Sequence, residues 1–378
     1  MVLDLYYCVY AKAVGKGLDL STAVTSLTVE ETGNAPDQLT LQISDPYKSY
    51  SHALREGVEL EVDLGRADDH SVIFRGLVCK VDGTFSQDGV PTLRVLARDR
   101  SMLLGLRQRN RVWTNISLSN IIYTIGKECF LPADIQVHLQ GEPSFSGNGI
   151  RQQNKTDLAF LRELATRYGC ELYVVAGTHA DELRFDSQYY IMTQDPALTL
   201  YHGRCGVRDR LLSFLASRDI ARVQLARAFA GIDFATGKSL AVQTATVQPV
   251  PEITDEHLDE NLAALFKQEP LTAAAVTPMV AAAGAAYDAL RNRLGKTTLE
   301  TTQGFTTEAE LKVRAQNQFS VSRYGMQASG ATVGNHRLHA QTAVRIADVG
   351  GFSNIWYLSQ VRHILDRQGY RVEFECQR

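Results

Sequence analysis

The sequence predicts a β-rich α+β fold laid out in consecutive parts, and three observations carry that reading. Up to about residue 113 apolar and polar side chains alternate in short runs. Between 114 and 202 the apolar residues move to a helical spacing, and from about 204 the alternation returns and persists to the C-terminus. A length of 378 residues fits about two to three domains.

In the first part Leu39, Leu41 and Ile43 alternate with Thr40, Gln42 and Ser44, and Val58, Leu60, Val62 and Leu64 with Glu59, Glu61 and Asp63. A period of two with acids on one face describes a half-buried strand. Ile73–Val81 is the next strand; Asp82-Gly83 and Asp88-Gly89 supply turn signals, and Thr92–Arg98 returns as its partner. Several short strands joined by turns suggest a small sandwich or barrel.

Two helices follow. Ser117 can cap the first, whose stripe is Leu118, Ile121, Ile122 and Ile125. Asn154 or Thr156 caps the second, Asp157 lies in or near its first turn, and Leu158, Leu161, Ala165 and Tyr168 share a face before Gly169 ends it. Short strands are expected at Glu171–Ala176, Glu182–Asp186 and Leu198–Tyr201, so this part is mixed α/β.

The later part reads as strand through Ala221–Gly231 and Ser239–Val247. Beyond Pro249 and Pro251 come five acids within 252–260 and then an alanine-rich stretch, so 251–301 reads as an insertion, partly helical or mobile. Thr307-x-x-Glu310 is a capping box opening a helix with Leu311, Ala315 and Phe319 on one side. Tyr370, Val372, Phe374 and Cys376 alternate with Arg371, Glu373, Glu375 and Gln377, a closing strand with a core on one side. No repeat of a solenoid or propeller is visible.

Composition narrows the function classes. With 44% hydrophobic residues and a net charge of −3, the chain is neither disordered nor a dedicated nucleic-acid binder. The N-terminus has no charged segment ahead of an apolar one, so no signal peptide is expected. Ala273–Leu290, broken by Pro278 and Asp288, lacks the apolar run a bilayer needs. The six cysteines show no C-x-x-C spacing and read as reduced thiols in a chain folded in the cytoplasm.

No phosphate loop, dinucleotide fingerprint, G-x-S-x-G elbow or H-E-x-x-H occurs. His336 and His339 have metal-ligand spacing only on a helix, which Gly334 and the strand pattern after Thr342 argue against, so they read as loop histidines. His363 with Asp366 lacks a nucleophile and reads as a structural hydrogen bond near a turn. The acid pairs Glu30-Glu31, Asp68-Asp69 and Asp255-Glu256 read as solvated loops or strand ends. No catalytic, cofactor-binding or metal-binding residue is assigned. Two arginine clusters are candidate subunit interfaces, mixed as they are with apolar residues. One holds Arg98, Arg100, Arg107, Arg109 and Arg111; the other holds Arg204, Arg208, Arg210, Arg218 and Arg222. A solvated face or a phosphate contact is the alternative.

Four matches together resemble one family. They are Phe74-Arg-Gly-Leu-Val with Thr92-Leu-Arg-Val-Leu-Ala-Arg-Asp99-Arg-Ser, the helix from Asn154 to Gly169, Val223–Gly237, and Trp356-Tyr-Leu-Ser-Gln-Val-Arg-His363 with Gly369-Tyr-Arg-Val-Glu-Phe374. In this order they are similar to the phage late-control gene D proteins, baseplate hubs related to VgrG spikes. The positions carrying the likeness are Gly76, Asp99, Asn154, Asp157, Phe160, Leu161, Gly169, Gly237, His363, Gly369 and Tyr370. Residues 251–301 have no counterpart in the family pattern.

The resemblance implies a hub architecture: a tube-like antiparallel β-barrel over 1–113, a mixed α/β domain over 114–202, and a second tube-like barrel over 203–250 and 302–378. It implies a non-enzymatic homotrimer in the baseplate of a contractile tail, whether of a phage, a tailocin or an extracellular injection system. A spike protein would sit below it and an inner tube or tube-initiator protein above, with a tape-measure protein and baseplate wedge as further partners. DNA or effector would pass only as cargo, no cofactor is needed, and the chain would be made in the bacterial cytoplasm before incorporation into the particle. Ending at Arg378, it leaves no room for an OB-fold and needle, which implies a separately encoded spike. The rival readings are the upper trunk of a VgrG-like secretion spike and a particle-associated cell-wall hydrolase.

Overall fold

The computed structural model describes residues 5–13, 16–33, 35–129, 134–145, 149–177, 180–204, 206–219, 224–233, 236–243, 273–294, 296–317 and 325–378. The first part is a run of strands: β1 (Leu5–Ala13), β2 (Lys16–Asp19), β3 (Val24–Thr32), β4 (Gln38–Ser44), a single helical turn α1 (Tyr50–Ala53), β5 (Glu59–Arg66), β6 (Asp69–Thr84) and β7 (Thr92–Asp99). The alternation works as expected. Leu39, Leu41 and Ile43 of β4 and Leu60, Val62 and Leu64 of β5 are buried in one apolar cluster, joined there by Leu93, Val95 and Ala97 of β7.

The middle part comprises β8 (Gln108–Trp113), β9 (Ile116–Ser117), α2 (Leu118–Cys129), β10 (Asp134–His138), β11 (Ser144–Phe145), β12 (Ile150–Thr156), α3 (Asp157–Tyr168), β13 (Cys170–Ala176), β14 (Asp181–Ser187) and α4 (Gln188–Thr193). Both helices begin where their caps predict. Ser117 Oγ accepts from the Asn120 N–H at 3.3 Å and Thr156 Oγ1 from the Ala159 N–H at 3.2 Å. Gly169 ends α3 at φ 64°, a left-handed conformation that glycine adopts without a Cβ penalty. The apolar stripes of α2 and α3 meet β13 and β14 in a second cluster that includes Ile121, Ile125, Phe160, Leu161, Tyr168 and Phe185.

The last part holds β15 (Thr199–Tyr201), β16 (Leu211–Arg218), β17 (Gln224–Asp233), β18 (Ser239–Gln243), α5 (Ala273–Leu294), β19 (Lys296–Thr306), α6 (Glu308–Asn317), β20 (Met326–Val333), β21 (Ala343–Ala347), β22 (Asn354–Asp366) and β23 (Gly369–Gln377). Of the stretch read as an insertion, 251–272 lies outside the described residues and α5 occupies 273–294. Residues from Lys296 onward form β19, which runs parallel to β17 in a three-stranded sheet with β18. Thr307 caps α6 as the sequence indicates, accepting from the Glu310 N–H at 3.1 Å; Phe319 lies outside the described residues. Among the described residues no helix is long and apolar enough to cross a membrane.

One sheet of thirteen strands runs through both β-rich parts, in the order β16-β20-β23-β22-β3-β4-β7-β6-β5-β1-β2, with β21 branching from β22 and β15 pairing β21. The two parts join where β22 pairs antiparallel with β3, Gln360 opposite Thr32 through Leu365 opposite Leu27. Each part has an apolar cluster, the later one built around Trp356, Leu358, Val361, Val372 and Phe374, while Leu365 of β22 joins the first and Tyr370 packs against both.

Gly76 shows how tightly this sheet is set. It sits opposite Asp99 in the β6–β7 pairing, and a Cβ on it would stand 2.3 Å from the Arg98 carbonyl oxygen. Gly284 in α5 has open space around it. Gly76→Ala is therefore expected to lower stability by about 1–3 kcal/mol, whereas Gly284→Ala raises it by up to about 1 kcal/mol; denaturant midpoints of the two variants check both signs.

Candidate functional site

The junction of β3 with β22 buries a group of polar side chains drawn from both β-rich parts. On β3 the residues Leu27, Val29 and Glu31 share the inward face, so period-two alternation carries Glu31 into the interior with only 5% exposure. The reading of Glu30-Glu31 as solvated is corrected for Glu31: the strand continues two residues past Val29, so the acid takes the core side.

Its charge is answered from the other part. Glu31 Oε1 lies 2.9 Å from His339 Nδ1, and Oε2 accepts from the Ala340 N–H at 2.8 Å. Burial pushes the Glu31 carboxyl up, but the facing His339 outweighs it and holds the carboxyl below its usual range. Burial pulls His339 down, and Glu31 more than restores it, so its imidazole titrates above the ordinary value. The pair is ionic.

His363 of β22 completes the group. Its Nε2 lies 2.9 Å from the Leu338 carbonyl oxygen, which can only accept, so Nε2 carries the proton. Nδ1 then accepts from the Tyr370 hydroxyl at 2.7 Å. Burial lowers the His363 pKa to about 4 and raises that of Tyr370 well above its ordinary value, which keeps the imidazole neutral and the phenol a donor. The expected contact between His363 and Asp366 does not form; Asp366 instead accepts from Arg371 at 2.8 Å and from the Gln368 N–H in the β22–β23 turn. His336 turns towards Asp69, 3.5 Å away, and is not part of the group.

The middle part is fastened to the first by charge. Asp181 at the start of β14 is nearly fully buried and takes Arg75 of β6 at 2.8 Å and Arg100 at 3.0 Å; Arg75 also reaches Glu61 at 2.9 Å, and Arg100 pairs with Glu59. Asp157 sits buried in the first turn of α3, where the helix dipole favours an anion. It takes Arg109 at 2.9 Å and the Gln152 side-chain amide at 2.8 Å. Asn154 adopts φ 48° in the β12 bulge and exchanges hydrogen bonds with Asn110. Asp99 caps the turn after β7, accepting from the N–H groups of Ser101 and Asp37.

Of the candidate interface arginines, Arg100, Arg109 and Arg111 are thus committed within the chain, the last two sharing Glu128. Arg98, Arg107, Arg208 and Arg210 are exposed, with Arg208 reaching Asp68 at 3.2 Å. In the second cluster Arg204 pairs with Asp348 and stacks on Tyr201, Arg218 donates to the Gly351 carbonyl, and Arg222 lies outside the described residues. The positions that carried the family likeness serve packing and turns: Phe160 and Leu161 are buried, and Gly237 and Gly369 have φ of 66° and 111°. Sequence reasoning missed Glu31, Arg75 and Asp181, whose partners are remote in the chain.

Among the described residues the main path of the sheet ends in two strands with one open edge each, and β15 ends the side branch. β2 pairs only with β1 and all four of its residues are exposed; β16 pairs along its length only with β20, leaving Leu212 and Leu215 exposed by 51% and 76%.

Asp99 gives a pH signature. Burial raises its pKa to about 6, against the hydrogen bonds from Ser101 and Asp37, and burial and Asp99 together hold Asp37 well above the ordinary range. A carboxyl whose pKa is higher folded than unfolded contributes stability below the unfolded value and loses it as pH rises through the folded one. Asp99 is therefore expected to cost up to about 3 kcal/mol between pH ~4 and ~7. Subtracting the stability profile of Asp99→Asn from that of the wild type gives this fall together with the part of the Asp37 titration that Asp99 causes; a flat difference contradicts it.

A family model described as phage tail baseplate hub (GPD) matches residues 38–366. Comparison with curated protein sequences yields no match. Among solved structures the fold is similar to a tail protein of Neisseria meningitidis MC58 (TM-score 0.61, 14% identity, 98% of this chain on 96% of that one). It is also similar to the 43 kDa tail protein of prophage MuSo2 from Shewanella oneidensis (TM-score 0.62, 14% identity, 99% on 98%). A third likeness is to the E. coli c3393 protein, a type VI secretion component (TM-score 0.56, 11% identity, 94% on 73%). With the match extending over most of its length, the chain belongs to the phage tail baseplate hub (GPD) family.

Proposed function

We propose that three copies of this chain close into a ring that forms the baseplate hub of a contractile tail. The ring joins a three-fold spike on one side to a six-fold inner tube on the other and nucleates the tube. The observation that carries this reading is the continuous sheet: one chain brings two β-rich parts into a single wall, joined at β3–β22 and ending, among the described residues, in open edges at β2 and β16. Three such walls placed end to end present six β-rich parts around one axis. Repeating one heterologous contact by rotation closes the ring, and setting the β16 edge of one copy against the β2 edge of the next covers backbone groups that otherwise invite uncontrolled pairing.

The exposed Leu212 and Leu215 beside one edge, with Arg98, Arg107, Arg208 and Arg210 elsewhere on the surface, supply the mixture of apolar and arginine side chains that subunit contacts favour. The proposed partners are the spike protein, the tube or tube-initiator protein, the tape-measure protein and the baseplate wedge. DNA or effector crosses the lumen as cargo. The role is assembly rather than catalysis, and the chain works in the virion tail or extracellular particle after synthesis in the bacterial cytoplasm. A second reading, the upper trunk of a VgrG-like spike, is favoured by the likeness to the E. coli type VI component, of which this fold spans 73%.

Native mass measurement of the purified chain is expected to give a trimer, and negative-stain images a ring. Leu215→Lys, at a surface position of β16, leaves the circular dichroism unchanged and shifts the mass to the monomer. A wild-type chain that stays monomeric even with tube protein present overturns the proposal.

A further inference from the structure

Glu31, His339 and His363 do more than fill the junction. We infer that together they form a transition-metal site, best suited to zinc, that staples β3 to β22 and to the 336–342 loop. One ligand atom from each of the three residues falls within 4.8 Å of the others. Two donor pairs stand close to the separations a tetrahedral ion needs: His339 Nδ1 is 2.9 Å from Glu31 Oε1, which is 3.8 Å from His363 Nε2. Zinc bonds of about 2.0–2.2 Å in a tetrahedron place ligand atoms roughly 3.3–3.6 Å apart. The pair at 2.9 Å has to open slightly and the pair at 3.8 Å to close, both within reach of side-chain rotation.

The donor set fits the same ion. Two imidazoles and a carboxylate suit zinc, whereas calcium and magnesium take oxygen donors in larger number. The environment is that of a held ligand. Tyr370 Oη fixes His363 Nδ1 at 2.7 Å, the outer contact that orients a metal-binding imidazole. Ala340 N–H holds the second Glu31 oxygen at 2.8 Å, leaving Oε1 for the ion. His339, with its side chain 32% exposed, provides the way in from solvent and leaves the fourth position to water. Binding changes the protonation in a defined way. His339 gives up the Nδ1 proton it shares with Glu31, and neutral His363 moves its proton from Nε2 to Nδ1, where the Tyr370 oxygen turns from donor to acceptor and the Leu338 carbonyl gives up its contact with Nε2, so one proton is released per ion. This inference does not depend on the hub role.

The purified full chain, stripped with a chelator, is titrated with Zn2+ and Co2+, with elemental analysis for stoichiometry and the visible cobalt spectrum for tetrahedral ligation. One equivalent of Zn2+ per chain is expected, a tetrahedral cobalt band, and a rise in melting temperature with metal. His339→Asn, at a half-exposed position, and Glu31→Gln each weaken binding by more than about tenfold, while the exposed His202→Asn does not. Substoichiometric binding, or a full equivalent retained with a smaller loss in His339→Asn, overturns the site. Circular dichroism of each variant separates loss of ligand from loss of fold.

Discussion

Everything distinctive in this chain depends on the backbone pairing of β3 with β22. Six residue pairs, from Gln360 with Thr32 to Leu365 with Leu27, bind segments more than three hundred positions apart. Without them β3 and β22 would each expose a row of amide and carbonyl groups, which a folded chain cannot leave unpaired in its interior. With them, two apolar clusters that do not merge become two halves of one wall. The pairing also sets the electrostatics. It brings Glu31 to a buried place that is tolerable only because His339 and the Ala340 amide meet it there. Breaking such a pair by removing one partner is far more costly than never having built it.

The mixed α/β part is held to this wall by charged contacts as well as by packing. Asp181 gathers Arg75 from β6 and Arg100 from the turn after β7, and Tyr168 at the end of α3 donates to Glu310 on α6 at 2.8 Å. These contacts fix where α3 and its sheet sit against both neighbours. Arg100, Arg109 and Arg111, which the sequence offers for partners, are already paired within the chain.

Local pattern made much of this legible. Alternation located β4, β5, β7 and β23, and the caps at Ser117, Thr156 and Thr307 began their helices where side-chain oxygens accept from the first turn. The junction was not legible, because no local spacing says which strand edge meets which. The parallel pairing of β19 with β17 was hidden for the same reason, its strand lying partly within what composition marked as an insertion. Glu31 was in principle readable: Leu27, Val29 and Glu31 obey the alternation that places a side chain inside, and the neighbouring acid Glu30 obscured it. His363 and Tyr370 stood out through the family likeness, but their contact with each other needed the β22–β23 turn.

In the proposed ring the two ends of the sheet's main path, open among the described residues, meet between copies. Electron cryomicroscopy of the assembled chain tests it most directly. The expected result is three chains around one axis, with β16 of each copy set against β2 of the next and six β-rich parts facing the lumen. A ring whose copies touch through the mixed α/β part, with β2 and β16 open to solvent, would contradict it.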